Sequence, residues 1–272
     1  MITGGSTGLG YAIAQAFLAE GANVAICGRN EAELSTAGCG LNAGAPAGTR
    51  AITVVCDVSR EEQVRGLARG AFDEFGDIIV LVNNAGVIGP IGKMEEVDFD
   101  EWRGAIETNL FGAVLACRVL LPHFRSHSYG KIVNLSGGGN VAPPLLQRLR
   151  GIEGGGRSLD RKPCGGVVRH GNRCKRTRTR LVEHPYVRAV RAARRPTVQA
   201  LRQKETGGAS IERAAELCVY LASAASDGIT RKLISAPWDP WQDLDRHREE
   251  LRSSDIYTLR RILPENRAKN WN

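Results

Sequence analysis

Three glycines, Gly4, Gly8 and Gly10, stand between a short apolar stub and an amphipathic run that begins at Tyr11. Glycines so placed let the main chain approach a pyrophosphate, while the N-terminus of the following helix favours its negative charge. Ser6, Thr7 and Leu9 lie within the same turn. The alternative is a tight turn that serves packing alone. Further along come Cys56-Asp57-Val58, Asn83-Asn84-Ala85-Gly86, Asn109 and Ser136, in that order. These carboxylate, carboxamide and hydroxyl groups are of the kinds that hold a nucleotide or pass a proton. No metal site is expected. Cys164, His170 and Cys174 fit no strong zinc spacing, and a fourth ligand is not evident.

The elements that must position these groups can be read from periodicity. Ile13, Ala14, Phe17 and Leu18 mark a helix that Gly21 ends. Asn23–Cys27 reads as a short buried strand, Ala51–Cys56, Ile78–Val82 and Lys131–Leu135 read as further strands, and a helix starts at Asn30-Glu31. Ser59 is the expected N-cap of a helix through Phe75, and one long helix should span Asp98 to Phe124. Strands apolar on both faces and alternating with helices imply a parallel sheet covered on two sides, an α/β doubly wound fold. Ile211–Leu221 reads as a helix and Lys232–Ile234 as a strand. The tail from Trp241 reads as helical, with Leu244, Leu251, Ile256, Leu259 and Ile262 as its apolar stripe. No linker separates two folded units. Residues 1–240 form one expected domain, with 241–272 its helical extension.

Thr3-Gly4-x-x-x-Gly8-x-Gly10, Cys56-Asp57-Val58, Asn83-Asn84-Ala85-Gly86, Asn109 and Ser136 together resemble the short-chain dehydrogenase/reductase family, over residues 1–146 and again over about 200–240. The resemblance implies a Rossmann-like sheet with a nicotinamide dinucleotide across the carboxyl ends of its strands. Gly4, Ser6, Thr7, Gly8, Leu9 and Gly10 would cradle its phosphates, and Asp57 and Val58 would contact the adenine. Asn83, Ala85 and Gly86 would line the ribose and nicotinamide side. Where relatives that prefer NAD carry an acidic residue, this chain has Gly28 followed by Arg29. An Arg there can pair with a 2′-phosphate, so the implied cofactor is NADP(H), with NAD left open and a solvated loop residue the plainer reading of Arg29. The implied reaction is hydride transfer between nicotinamide and an alcohol or carbonyl substrate. Ser136 would orient the reacting oxygen, and Asn109 would hold a water in the proton relay. Their plainer readings are a polar strand end and a polar helix residue.

The same resemblance requires a Tyr-x-x-x-Lys about a dozen residues beyond Ser136, where the Lys lowers the Tyr pKa for acid/base work. No Tyr in the chain has Lys four positions on, and residues 147–150 read Gln-Arg-Leu-Arg. Tyr257 with Arg261 is the nearest approach, out of context. The chain as written is therefore expected to be catalytically impaired.

Charge points to the cause. The net charge is +8, yet residues 147–196 hold thirteen Arg and two Lys against three carboxylates, leaving the rest of the chain at −4. Gln147 to Gly155 can be encoded CAG CGC CTA CGG GGC ATC GAA GGC GGC. Begun one nucleotide later, that reads Ser-Ala-Tyr-Gly-Ala-Ser-Lys-Ala. Asn172 to Leu181 can be encoded AAT CGA TGT AAA CGC ACT CGC ACC CGG CTT, which in the same displaced frame gives Ile-Asp-Val-Asn-Ala-Leu-Ala-Pro-Gly. Both are family-like, in order and in one frame. Residues from about 147 to about 200 are therefore expected to be out-of-frame translation. An irregular Arg-rich segment would replace the Tyr-x-x-x-Lys helix and the sixth strand, packing poorly and lying exposed. The first strand keeps only Met1-Ile2 before the glycine turn, so the true start is expected upstream.

Two rival functions stay in view. One is a non-catalytic NADP-binding protein. The other is nucleic-acid binding through runs such as Arg173-Cys-Lys-Arg-Thr-Arg-Thr-Arg180, though that stretch lacks aromatic interleaving apart from Tyr186. Seven scattered cysteines suit a reducing compartment, so a cytoplasmic protein is expected. No apolar run is seen to approach the roughly 18 residues of a membrane helix. The partners expected are a small alcohol or carbonyl and no membrane. An intact version should be a homodimer or homotetramer built on the Asp98–Phe124 helix and the helix lost in the insert.

Overall fold

The computed structural model describes residues 1–90, 92, 94–137, 210–259 and 266, together with the main chain of 173–179. Among the described residues six strands form, β1 (Val24–Gly28), β2 (Ala51–Val55), β3 (Val80–Asn83), β4 (Lys131–Gly137), β5 (Arg173–Thr179) and β6 (Leu233–Ser235). Every pairing between them is parallel. Residues 1–3 fill the slot between β1 and β3, where Ile2 bridges both Ile26 and Val82. Ile2 N–H donates to Ala25 O at 2.9 Å and Thr3 N–H to Val82 O at 3.0 Å. The order across the sheet is β2-β1-(residues 1–3)-β3-β4-β5-β6. Strand order reverses between residues 1–3 and β3. In sheets of this kind ligands bind at such a reversal, outside the carboxyl ends of the strands.

Alternate strand residues feed opposite layers. Ile2, Val24, Ile26, Val82 and Val133 pack with α1 (Gly8–Ala19), α2 (Glu31–Ala43) and α6 (Ile211–Ala222). Met1, Ala25, Cys27, Leu81 and Ile132 pack with α3 (Glu61–Phe75) and α5 (Gly112–Ser126). Each fully buried Leu, Ile or Phe adds about 1.5–3 kcal/mol. Local capping starts several helices. Asn30 Oδ1 accepts from Glu33 N–H at 3.1 Å, and Asp98 Oδ1 from Glu101 N–H at 2.9 Å. Gly76, at φ +76°, closes α3 in the left-handed conformation that glycine adopts without penalty.

The structure departs from the sequence expectations in five places. Ser59 does not cap α3. Its N–H and hydroxyl turn back to Asp57 Oδ1, and Arg60 occupies the cap position without a side-chain bond. A short Asp turn thus outcompetes the cap. The long helix is not uniform. α4 (Phe99–Ile106) passes through a π turn (Glu107–Phe111) into α5, and Asn109, whose side chain makes the bonds described below, lies within that turn. The composite helix Phe99–Ser126 is long and apolar enough to cross a membrane, contrary to the reading of the sequence. Here Ala116, Leu120 and Phe124 of that helix are buried against the sheet and α3. The tail is not one amphipathic helix. It holds a 3₁₀ turn (Trp241–Asp243) and a short α7 (Arg248–Ser253). Trp241, Leu244 and Leu251 are buried, whereas Ile256 is exposed. Lys232 Nζ donates to the carbonyls of Ser254 and Ile256, which holds the chain after α7 in a turn. Finally, the main chain of 173–179, expected as irregular, is strand β5 between β4 and β6. An unfilled slot there would leave the ladder groups of both neighbours unpaired. Other expectations for 147–196 fall on residues outside those described.

Candidate active site at the reversal of strand order

The glycine turn is locked by side chains on both banks of the crevice. Thr3 Oγ1 accepts from the N–H groups of Asn84 and Ala85, each at 3.0 Å. Asn84 Nδ2 donates to Thr3 O at 3.0 Å and Gly4 O at 2.8 Å. Gly4 and Gly8 lie at φ +65° and +57°. A Cβ on Gly10 would stand 2.2 Å from Gly4 O and 2.4 Å from Asn84 Nδ2. Only a residue without a side chain fits there, so the turn hugs the start of α1. Thr7 occupies the cap position of α1 without a side-chain bond, so its hydroxyl does not claim the first-turn N–H groups. Those groups point where an anion would sit. Leu9 packs against the core, and Ser6 Oγ lies 3.1 Å from where a Cβ on Gly28 would be.

The second bank is the end of β1 and β2. Cys56 N–H donates to Gly28 O at 3.0 Å, bringing Arg29 and the 57–60 turn side by side. Arg29 is exposed, and Val58 is buried under the turn. Asp57 Oδ1 accepts from Ser59 N–H at 3.0 Å and Ser59 Oγ at 2.8 Å. Burial works to raise the Asp57 pKa, but the two bonds from Ser59, with Arg29 and Arg60 nearby, outweigh it and hold the carboxyl below its ordinary range. The Cys56 thiol donates to the sulfur of Cys27, which pushes Cys56 up and Cys27 down.

At the far side, the Asn83 side chain joins two strands. Its Nδ2 donates to Asn134 Oδ1 at 2.7 Å and lies 3.5 Å from Cys117 Sγ, stitching β3 to β4 inside the protein. Asn83 Oδ1 is buried without a hydrogen-bond partner. It is Asn84 that faces the glycine turn, with Ala85 and Gly86 beyond it. Asn109 Oδ1 accepts from Val87 N–H at 2.7 Å, and its Nδ2 donates to Val87 O at 2.8 Å. One carboxamide thus clamps the loop after Gly86 from the π turn. Ser136 is buried near the carboxyl end of β4, in register with Arg178 of β5. The place where a Tyr-x-x-x-Lys would fall, beyond Ser136, lies outside the described residues.

Thr3 and Asn84 belong to the motifs quoted from the sequence but were not among the expected site residues. A short hydroxyl residue just before the first glycine was the available signal. Among the described residues no group of three His, Cys, Asp or Glu could hold a metal ion. Cys164 and His170 lie outside them.

The residues present fit a dinucleotide. A cradle that any Cβ would fill faces an uncapped helix start, and both lie at the reversal of strand order.

Comparison with known proteins agrees. The family model described as short chain dehydrogenase matches residues 1–145. L-fucose dehydrogenase of Oryctolagus cuniculus is 37% identical over 136 residues, which is 50% of this chain and 45% of that protein. L-fucose dehydrogenase of Bos taurus is 38% identical over 136 residues, 50% of this chain and 47% of its own. The chain thus spans less than half the length of these curated relatives. A solved structure of NAD+-bound xylitol dehydrogenase aligns with TM-score 0.76 at 21% identity, covering 86% of this chain and 95% of the other. A short chain dehydrogenase from Mycobacterium smegmatis aligns with TM-score 0.72 at 26% identity, covering 86% and 89%.

Proposed function

We propose that this chain, which belongs to the short-chain dehydrogenase family, holds NADP(H) at the reversal of strand order and derives from an oxidoreductase acting on an alcohol or carbonyl. One observation carries the reading: the knot of Thr3, Gly4, Gly10 and Asn84 leaves room for backbone and for nothing larger. When bound, the nicotinamide supplies or accepts hydride. The chain's own residues do the rest. Gly4, Ser6, Thr7, Gly8, Leu9 and Gly10 hold the phosphates against the start of α1, and Asp57 with Val58 borders the adenine. Arg29, exposed where a carboxylate would repel a 2′-phosphate, favours NADP over NAD. Ala85 and Gly86 form the nicotinamide wall, which Asn109 fixes by clamping Val87. Ser136 orients the reacting oxygen.

What is missing is a group to move the proton. No Tyr in the chain is followed by Lys four positions on, so we propose that the chain as written binds cofactor but turns over poorly. Displacement of the reading frame over about 147–200 accounts for this loss. Re-reading the nucleotide sequence tests that directly, because codons that cannot spell Tyr-x-x-x-Lys in the second frame exclude it. Titration with NADP+ and NAD+ tests the binding half. The names of the curated relatives and of the NAD+-bound neighbour support a hydroxylated substrate. An intact version would pair subunits through the helix containing Phe99 and Phe111, both exposed.

A further inference from the structure

Two loops that are far apart in sequence meet where the adenine ribose would lie, and each carries an uncommitted arginine. Cys56 N–H donates to Gly28 O at 3.0 Å, so β1 and β2 end together, and residue 29 and the 57–60 turn leave the sheet side by side. The turn is closed by Arg60 N–H donating to Asp57 O at 3.0 Å, and Arg60 takes the cap position of α3 with its side chain exposed. Asp57 opens the same turn, and its Oδ1 is occupied by the N–H and hydroxyl of Ser59. Three arginines of this half are committed, Arg50 to Glu74 at 2.7 Å, Arg65 to Glu61 at 2.6 Å and Arg103 to Asp100 at 2.7 Å, whereas Arg69 and Arg125 are exposed on helices away from the ends of β1 and β2. Among the described residues, Arg29 and Arg60 make no side-chain hydrogen bond or ion pair.

After the two bonds from Ser59, Arg29 and Arg60 both help to hold the Asp57 carboxyl below its ordinary range, in keeping with the two loops leaving the sheet together. A phosphomonoester brought to that spot would meet two cations against a single negative charge whose lone pairs are already turned toward Ser59. Guanidinium forks suit phosphate oxygens, and two of them from different loops can grip opposite edges of one group.

We infer that Arg60 is a second specificity-determining residue, which together with Arg29 forms a clamp for the 2′-phosphate of NADP. This rests on the NADP reading above and adds to it a residue from the neighbouring loop. The clamp acts on ground-state binding and needs no turnover, so the 272-residue chain itself is the test material.

The experiment is equilibrium binding of NADP+ and NAD+, which differ only in the 2′-phosphate, to the full chain and to Arg29→Ala, Arg60→Ala and Arg60→Lys. Thermal unfolding of each variant serves as the fold control; both arginines are exposed, and neither replacement leaves a buried group unpaired. The chain is expected to bind NADP+ at least about tenfold more tightly than NAD+. Arg60→Ala should reduce that ratio by about tenfold with NAD+ affinity unchanged, Arg60→Lys should restore part of it, and added salt should narrow it. If Arg60→Ala keeps the ratio within about twofold while Arg29→Ala abolishes it, Arg60 is no part of the clamp and the NADP reading stands. If the unaltered chain binds both dinucleotides equally, or binds neither, the NADP reading itself fails and the clamp with it.

Discussion

β4 and β5 lie side by side in one sheet and share a parallel ladder along the whole of β5, yet their sequences belong to different worlds. β4 reads Lys-Ile-Val-Asn-Leu-Ser-Gly, with Ile132 and Val133 buried in opposite layers and Ser136 buried near its carboxyl end. β5 reads Arg-Cys-Lys-Arg-Thr-Arg-Thr, four cations in seven residues at an interior position of the sheet. Main-chain pairing accepts either sequence, because its donors and acceptors are the same in every residue except proline. Side-chain chemistry does not. An interior parallel strand is covered on both faces, where unpaired charge is expensive. The contrast separates two things a fold does: the ladder preserves architecture, while placing a Ser, or a proton donor after it, needs the right letters. It also explains why similarity to the family model ends at residue 145 while the fold aligns over 86% of the chain.

The contrast can be broken or sharpened by experiment. The largest effect belongs to the frame. A version carrying the second-frame reading over about 147–200 should reduce a carbonyl with NADPH about 10²–10⁴ times faster than the chain as written, the range that a positioned acid/base contributes. Equal rates would remove the functional half of the comparison. Next is hydrogen exchange. Amides of β4 should be protected about hundredfold or more beyond those of 173–179; equal protection would show that the cationic strand is tolerated. On the intact side, Gly10→Ala forces a Cβ onto Gly4 O and should lower stability by about 1–3 kcal/mol, with loss of NADP+ binding by titration.

Smaller again is the split between two neighbouring asparagines. Asn84→Ala frees the carbonyls of Thr3 and Gly4 and should weaken NADP+ binding. Asn83→Ala should lower the melting temperature and leave that affinity within about twofold, since Asn83 works between strands. The smallest effect is on acid stability. The Asp57 carboxyl is held below its ordinary 3.8 in the folded chain, so its contribution is present above that value and fades as pH falls through the lower folded one. Asp57→Asn should flatten that part of an acid unfolding curve, and a curve of unchanged shape would contradict it.

Much of the cradle was legible in the sequence, for a physical reason. Gly4, Gly8 and Gly10 are required by positive φ or by contact with backbone, and no other residue type substitutes, so the letters report the geometry. β1, β3 and β4 were legible because burial on two faces leaves apolar runs, whereas β2, partly exposed at the edge of the sheet, was legible from its β-branched run Ile52–Val55. The cross-strand bond of Asn83 to Asn134 was hidden, because a carboxamide serves many partners and only the register of β3 with β4 brings these two together. The π turn was hidden because the helical pattern continues on both sides of Asn109, and the partner of that carboxamide, Val87, is remote in sequence. Ser59 looked like a cap since caps and Asp turns use the same residues. The tail's stripe was real in Leu244 and Leu251, but a turn at Lys232's carbonyl partners redirects the chain before Ile256 continues it.

The central claim is a phosphate cradle that survives beside a proton-transfer site that does not. It is tested most directly by giving the 272-residue chain NADPH at saturating concentration, shown by binding in the same sample, and following its oxidation with a panel of aldehydes and ketones. The account predicts bound NADPH oxidised about hundredfold or more below an ordinary enzymatic rate. Steady oxidation at about 1 s⁻¹ or faster, an ordinary enzymatic rate, would contradict it, because some group present in the written sequence would then be moving the proton.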